Sequence, residues 1–197
     1  MNYKYIYAVM SVAIAASATA TVLTASHQGE PSTKANPSTF KTAVKMADAA
    51  YHAVINQPAF RYRYFKTNSE EDIDMLRNVF SKIENACDIT QTNVVFRCDP
   101  PGGECVTSAA HVPVFPRDDS NNKIYICPNF FDKWGLNDGD RARILVHESS
   151  HVPYIRGTAD YNKYGLWESL QLPRDVSLWH ADSYAWFAVA ARNGDFD

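Results

Sequence analysis

An α+β fold follows from three observations on this 197-residue chain. Apolar residues recur at helical spacing in both flanks, and the middle switches to short β-favouring runs separated by turns. Near position 150, two histidines stand four residues apart, on one face of a helix. The order helices, small sheet, helices predicts a single domain in which helices flank a small, mostly antiparallel sheet.

The chain opens like an export signal. Met1-Asn2-Tyr3-Lys4 carries one positive charge, an apolar run extends from Tyr5 to Leu23, and small residues at Ala16-Ser17-Ala18, Ala18-Thr19-Ala20 and Leu23-Thr24-Ala25 offer cleavage sites. Ser and Thr dilute the run, so a cleaved signal over 1–25 is expected in preference to a membrane anchor. Residues 26–38 are polar, contain two prolines and a glycine, and read as a flexible leader. Residues 39–197, about 160, suit one domain with its own core. The expected location is secreted, periplasmic or extracellular, with no stable membrane association after signal cleavage. A net charge of −3 is too small to predict a polyanionic partner, and without a basic stripe no nucleic-acid partner is expected.

Each element has a local reason. Over 40–55, Val44, Ala47, Ala50, Tyr51 and Val54 recur at three- and four-residue steps, a helix ended near Pro58. Residues 59–67 alternate aromatic and basic side chains; an RNA-stacking patch is one reading, but an aromatic connector packed on the core is the expected one. A second helix starts after Asn68 or Ser69, with Glu70, Glu71 and Asp72 in its first turn and Ile73, Leu76, Val79, Phe80 and Ile83 behind. Strands are expected at 93–97, 105–108, 112–115 and 123–127, with turns at 100–103 and 118–122. Asn137 or Asp138 caps the histidine-bearing helix, followed by Asp140, Ala142, Ile144, Leu145 and Val146. A loop over 153–165 leads to a last helix that begins after Pro173 or nearer Leu178 and carries Trp179, Tyr184, Trp186, Phe187 and Ala190.

His147-Glu148-Ser149-Ser150-His151 has the form H-E-x-x-H. Two imidazoles at i and i+4 can grip one metal ion, and the glutamate beside the first is placed as a general base. A catalytic zinc site needs a third protein ligand. No histidine follows at the metzincin offset, and Glu168, seventeen residues after His151, is a weak gluzincin ligand. Asp160, nine residues after His151 and beyond a turn permitted by Gly157, is the stronger candidate. His180 reads as a helix-surface residue, and His27, His52 and His111 as solvent-facing. Cys87, Cys98, Cys105 and Cys127 lack C-x-x-C pairs, so two disulfides are expected rather than a four-cysteine zinc site, with three pairings open.

HESSH followed by the aspartate of GTAD, with Tyr164-Gly165 close behind, resembles the aspzincins, which include the fungal deuterolysins and the peptidyl-Lys metalloendopeptidases. Arg63-Tyr64-Phe65 is similar to the aromatic segment after that family's first helix. Lys123-Ile124-Tyr125-Ile126-Cys127 with Phe130-Phe131 is similar to its strand before the metal helix. Ala181-Asp182-Ser183-Tyr184 with Phe187 resembles its N-A-D-x-x-x-x-F segment.

The resemblance implies a zincin-like domain with HExxH on a central helix. One Zn2+ per chain would be held by His147, His151 and Asp160, with Glu148 as the base. It further implies that a tyrosine of the GTxDxxYG motif steadies the transition state. GTADYNKYG has one extra residue, which leaves Tyr164, before Gly165, preferred and Tyr161 as its rival. Asp182 matches an aspartate of the S1′ region and is expected to bind substrate or to accept a hydrogen bond from a zinc histidine. Ala185 stands where lysine-specific members carry a glutamate, which points to the deuterolysin-like branch. Cys105 with Cys127 fits the family's disulfide and leaves Cys87 with Cys98. The short leader predicts no large inhibitory pro-domain. The expected function is a secreted zinc metalloendopeptidase acting on protein or peptide substrates. A zinc-stabilised binding module or toxin component, or a zinc amidase acting on cell-wall peptides, are the alternatives.

Overall fold

The computed structural model describes residues 37–90, 92–98, 105, 108–113, 122–131 and 135–196. The expected signal, nearly all of the leader, and the turn at 100–103 lie outside the described residues.

Helix α1 (Pro37–Asn56) buries Phe40, Ala43, Met46, Ala47, Ala50, Ala53 and Val54 along one face. Its alanines let it lie close against α3 (Glu70–Cys87), α4 (Asp138–His151) and α7 (Ala181–Asn193), the three helices that enclose the core with it. Ser69 caps α3 by accepting the amide of Asp72 at 3.4 Å. Asp72 in turn takes a two-pronged hydrogen bond from Arg174, both contacts at 2.7 Å. That pair ties the start of α3 to the short helix α6 (Arg174–Ser177), which follows α5 (Leu166–Leu170) in the chain.

The 59–67 connector is in fact mostly helical. Helix α2 (Pro58–Phe65) starts with Pro58 in its first turn and ends at Lys66 in the left-handed conformation. Pro58 therefore closes one helix and opens the next, as a residue with fixed φ and no N–H can. Arg61 is buried, donating to the Thr67 carbonyl at 3.3 Å, to Asn68 Oδ1 at 2.9 Å and to the Val54 carbonyl. Phe60, Tyr64, Phe65, Phe80 and Tyr184 form a buried aromatic cluster with Phe187, with Phe60 and Phe187 stacked at 4.5 Å.

The sheet has three strands, β1 (Val95–Arg97), β2 (Ala110–His111) and β3 (Lys123–Ile126), in the order β1-β3-β2. β2 runs antiparallel to β3, but β1 pairs with it in parallel, so the sheet is mixed rather than mostly antiparallel. The chain between β1 and β3 is long enough for the crossover that parallel neighbours require. Ile124 and Ile126 turn inward on β3. Its end is fixed by the Cys105–Cys127 disulfide, with Cα atoms 5.2 Å apart.

The second expected disulfide does not form. Cys87 is buried on α3 facing α4, its Sγ 3.6 Å from Ser149 Oγ, and carries no bond to Cys98. Burial pushes its thiol up to about 12, the state of an inert core side chain.

Candidate metal centre

Helix α4 carries two of the three central residues. Asn137 accepts the Asp140 amide at 3.0 Å while Asp140 accepts the Asn137 amide at 3.1 Å, a reciprocal cap. Ala142, Leu145 and Val146 are fully buried and set the rotation of the helix. That rotation places His147 and His151 side by side, with their Nε2 atoms 3.1 Å apart.

After α4 the chain turns at Gly157, whose φ of 68° suits a residue without Cβ. The Thr158 amide then donates to the Ser150 carbonyl at 3.1 Å, folding the chain back along the helix. Ala159 makes a parallel bridge with His180, and Asp160 follows at the mouth of the helix face. Its Oδ1 lies 3.2 Å from Nε2 of His147 and 3.2 Å from Nε2 of His151.

Both imidazoles are oriented through their other nitrogen. His151 Nδ1 is 2.8 Å from the Thr158 carbonyl, which only accepts, so Nδ1 carries the proton. His147 Nδ1 is 2.8 Å from Asp182 Oδ1, again an acceptor. With the rings neutral, as metal ligation requires, each turns an Nε2 lone pair toward the other and toward the buried Asp160 Oδ1. Three acceptors so close repel one another unless a cation lies among them. Their separations of 3.1–3.2 Å match the edge, about 3.3 Å, of a tetrahedron with ligand bonds of about 2.0–2.1 Å. The donor set fits a zinc-type ion.

The charges respond accordingly. Burial would lower the pKa of His147, but hydrogen bonds with Asp160 and Asp182 outweigh it and hold it at about 10. Burial opposes ionisation of Asp160, yet the two histidines hold its carboxyl far below the usual carboxylate range. Glu148 is buried, and desolvation raises its pKa against the pull of His147 and His151. Its Oε2 is buried without a hydrogen-bond partner. A raised carboxyl with an unused oxygen, adjacent in sequence to one of the clustered histidines, is what proton transfer requires.

Asp182 is 3 % exposed and both of its oxygens are engaged. Oδ1 accepts from His147 and lies 3.5 Å from Arg143, while Oδ2 accepts the Gly165 amide at 2.6 Å. Of the two roles open to it, the geometry supplies that of acceptor for a histidine. Tyr164 donates to Asp160 Oδ2 at 3.0 Å, which puts its hydroxyl at the cluster. Tyr161 has its ring 6.4 Å from that of His180. Glu168 pairs with Lys163 at 3.0 Å and does not belong to the cluster.

Sequence reasoning misplaced two histidines. His180 is fully buried, not on a helix surface, and caps α7. His111 is half-buried with its ring stacked on Tyr125 at 5.2 Å, whereas His52 is exposed as expected. The signal that could have exposed His180 is its place directly before the last helix, where a side-chain acceptor is wanted.

A family model described as lysine-specific metallo-endopeptidase, the aspzincin family, matches residues 49–189. The chain belongs to this family. Among aspzincin-related sequences, a neutral protease 2 homolog of Pyricularia oryzae is 28% identical over 153 residues, 76% of this chain and 43% of that protein. A neutral protease 2 homolog of Phaeosphaeria nodorum is 29% identical over 150 residues, 74% of this chain and 41% of that protein. The chain thus spans about two fifths of the length of these relatives. The fold is similar to that of a zinc peptidase from Grifola frondosa, at a TM-score of 0.60 and 19% identity over 78% of this chain and 91% of that one.

Proposed function

We propose that this aspzincin is a zinc-dependent metalloendopeptidase with one Zn2+ per chain, held by His147, His151 and Asp160. The observation that carries the reading is the triangle of inward-facing acceptors at 3.1–3.2 Å beside the unpaired, buried Glu148 carboxylate. When bound, the metal supplies Lewis acidity that makes a water nucleophilic near neutral pH and polarises the substrate carbonyl. Glu148 takes the proton from the attacking water and delivers it to the leaving amine nitrogen. The Tyr164 hydroxyl gives up its bond to Asp160 Oδ2 and donates instead to the carbonyl oxygen as negative charge builds there. Asp182 holds the His147 ring in the tautomer protonated at Nδ1, which leaves the Nε2 lone pair for the metal.

Export fits the N-terminal segment, and among the described residues no helix is long and apolar enough to cross a membrane. With Ala185 in place of an acid near Asp182, we assign no strict lysine preference.

The test is a digest of denatured protein and of peptidoglycan fragments, with and without chelator, by wild type and Glu148→Gln. Wild type should cleave protein, chelator should stop it, and Glu148→Gln should keep its zinc while losing at least 100-fold in kcat, the low end of general-base contributions. Full activity of Glu148→Gln sinks the mechanism. Cleavage confined to peptidoglycan makes the protein an amidase, and bound zinc without any cleavage makes it a binding module.

A further inference from the structure

The loop between Asp160 and Gly165 carries two consecutive non-glycine residues in the left-handed region, Tyr161 at φ 52° and Asn162 at φ 53°. That conformation is disfavoured for residues with a Cβ and persists only where surroundings hold it. Inside the loop, the Lys163 amide bonds the Asp160 carbonyl at 2.9 Å. From outside, His180 reaches the Lys163 carbonyl with Nε2 at 2.9 Å. Its Nδ1 accepts the Ser183 amide at 3.2 Å at the start of α7, and lies 3.0 Å from Ser183 Oγ. Because Nδ1 accepts, the proton sits on Nε2, and the buried ring satisfies a helix end and a loop carbonyl at once.

A short cap side chain such as asparagine serves the helix end equally well but stops short of the loop.

We infer that His180 is a positioning residue that latches the 160–165 loop to α7 and so places Asp160 and Tyr164 at the metal centre. The inference rests on the proposed metal site for its effect on chemistry, but the latch itself is readable without activity. Two variants separate the two jobs of the ring. His180→Asn keeps a good cap and loses the donor to Lys163. His180→Gln weakens the cap but sets an amide N–H about as far from Cβ as Nε2.

Amide exchange of 160–165 in metal-free protein, zinc release to a chelator, thermal unfolding and steady-state kinetics are measured on both. Under the latch, His180→Asn unfolds within a few degrees of wild type, yet loop exchange and zinc release rise at least tenfold and kcat falls with KM little changed. His180→Gln restores loop exchange and zinc release to within about threefold of wild type while lowering the unfolding temperature. The opposite pattern, a wild-type His180→Asn and an impaired His180→Gln, reduces His180 to a helix cap. Equal behaviour of the two variants also overturns the latch. A wild-type protein that cleaves nothing refutes the peptidase reading alone, since exchange in the metal-free loop still reports on the latch.

Discussion

Three atoms dominate the chemistry at the residue scale: two imidazole nitrogens and one carboxylate oxygen, each freed by a bond made elsewhere in its own side chain or left without a partner. The bond from His147 to Asp182 is the most exposed to test. Asp182→Asn removes the charged acceptor and should weaken zinc binding about 10–100-fold, as expected for a partner behind a metal ligand. Competition with a chromophoric chelator measures it, and a change below twofold would mean that Asp182 does not tune His147.

The same residues set a pH dependence. In metal-free protein His147 titrates at about 10, so at neutral pH a proton occupies the site that the metal needs. Binding must expel it, and apparent affinity should rise about tenfold per pH unit up to that value, then level off. Titration calorimetry at pH 7 in buffers of different ionisation enthalpy should show at least one proton released per zinc. No buffer dependence would place the proton elsewhere.

Two elements illustrate, in opposite ways, how far local patterns reach. The start of α4 was legible because capping chemistry lies within a few residues: Asn137, then Asp140, then an apolar run. Asn137→Ala should destabilise the fold by about 1 kcal/mol in chemical denaturation. A loss under a few tenths would show that the cap adds nothing beyond solvent. α2 was not legible, because alternating aromatic and basic residues mimic an extended segment. Only the burial of Arg61 among carbonyls of the preceding helix and the following turn explains its helical path. The strand order was equally hidden, since β-favouring runs do not say which neighbour they pair with.

The aromatic cluster around Phe187 couples the site to the rest of the molecule. Phe187 is fully buried against Phe60, Tyr64, Phe65 and Phe80, and sits on the helix whose first turn holds Asp182. Phe187→Ala should cost about 3–5 kcal/mol of stability, as large-to-small changes in packed cores do. A loss below about 1 kcal/mol would show that the cluster is not the core's keystone.

By itself, the chain's order of residues determined what depends on neighbours in sequence: helix faces, caps, the i and i+4 histidines with their adjacent glutamate, and an aspartate within reach beyond a glycine turn. The order of helical and β-favouring runs carried the α+β class, and the resemblance to the aspzincins carried the family fold; the structure shows both, with a mixed sheet. Tertiary structure alone decided which distant groups meet. It gave Asp182 to His147, set Cys87 against Ser149 instead of Cys98, buried His180 beneath the 160–165 loop and ran β1 parallel to β3. The reason is physical: periodicity and capping report local backbone preference, whereas these pairings arise only when the helices close around a common core.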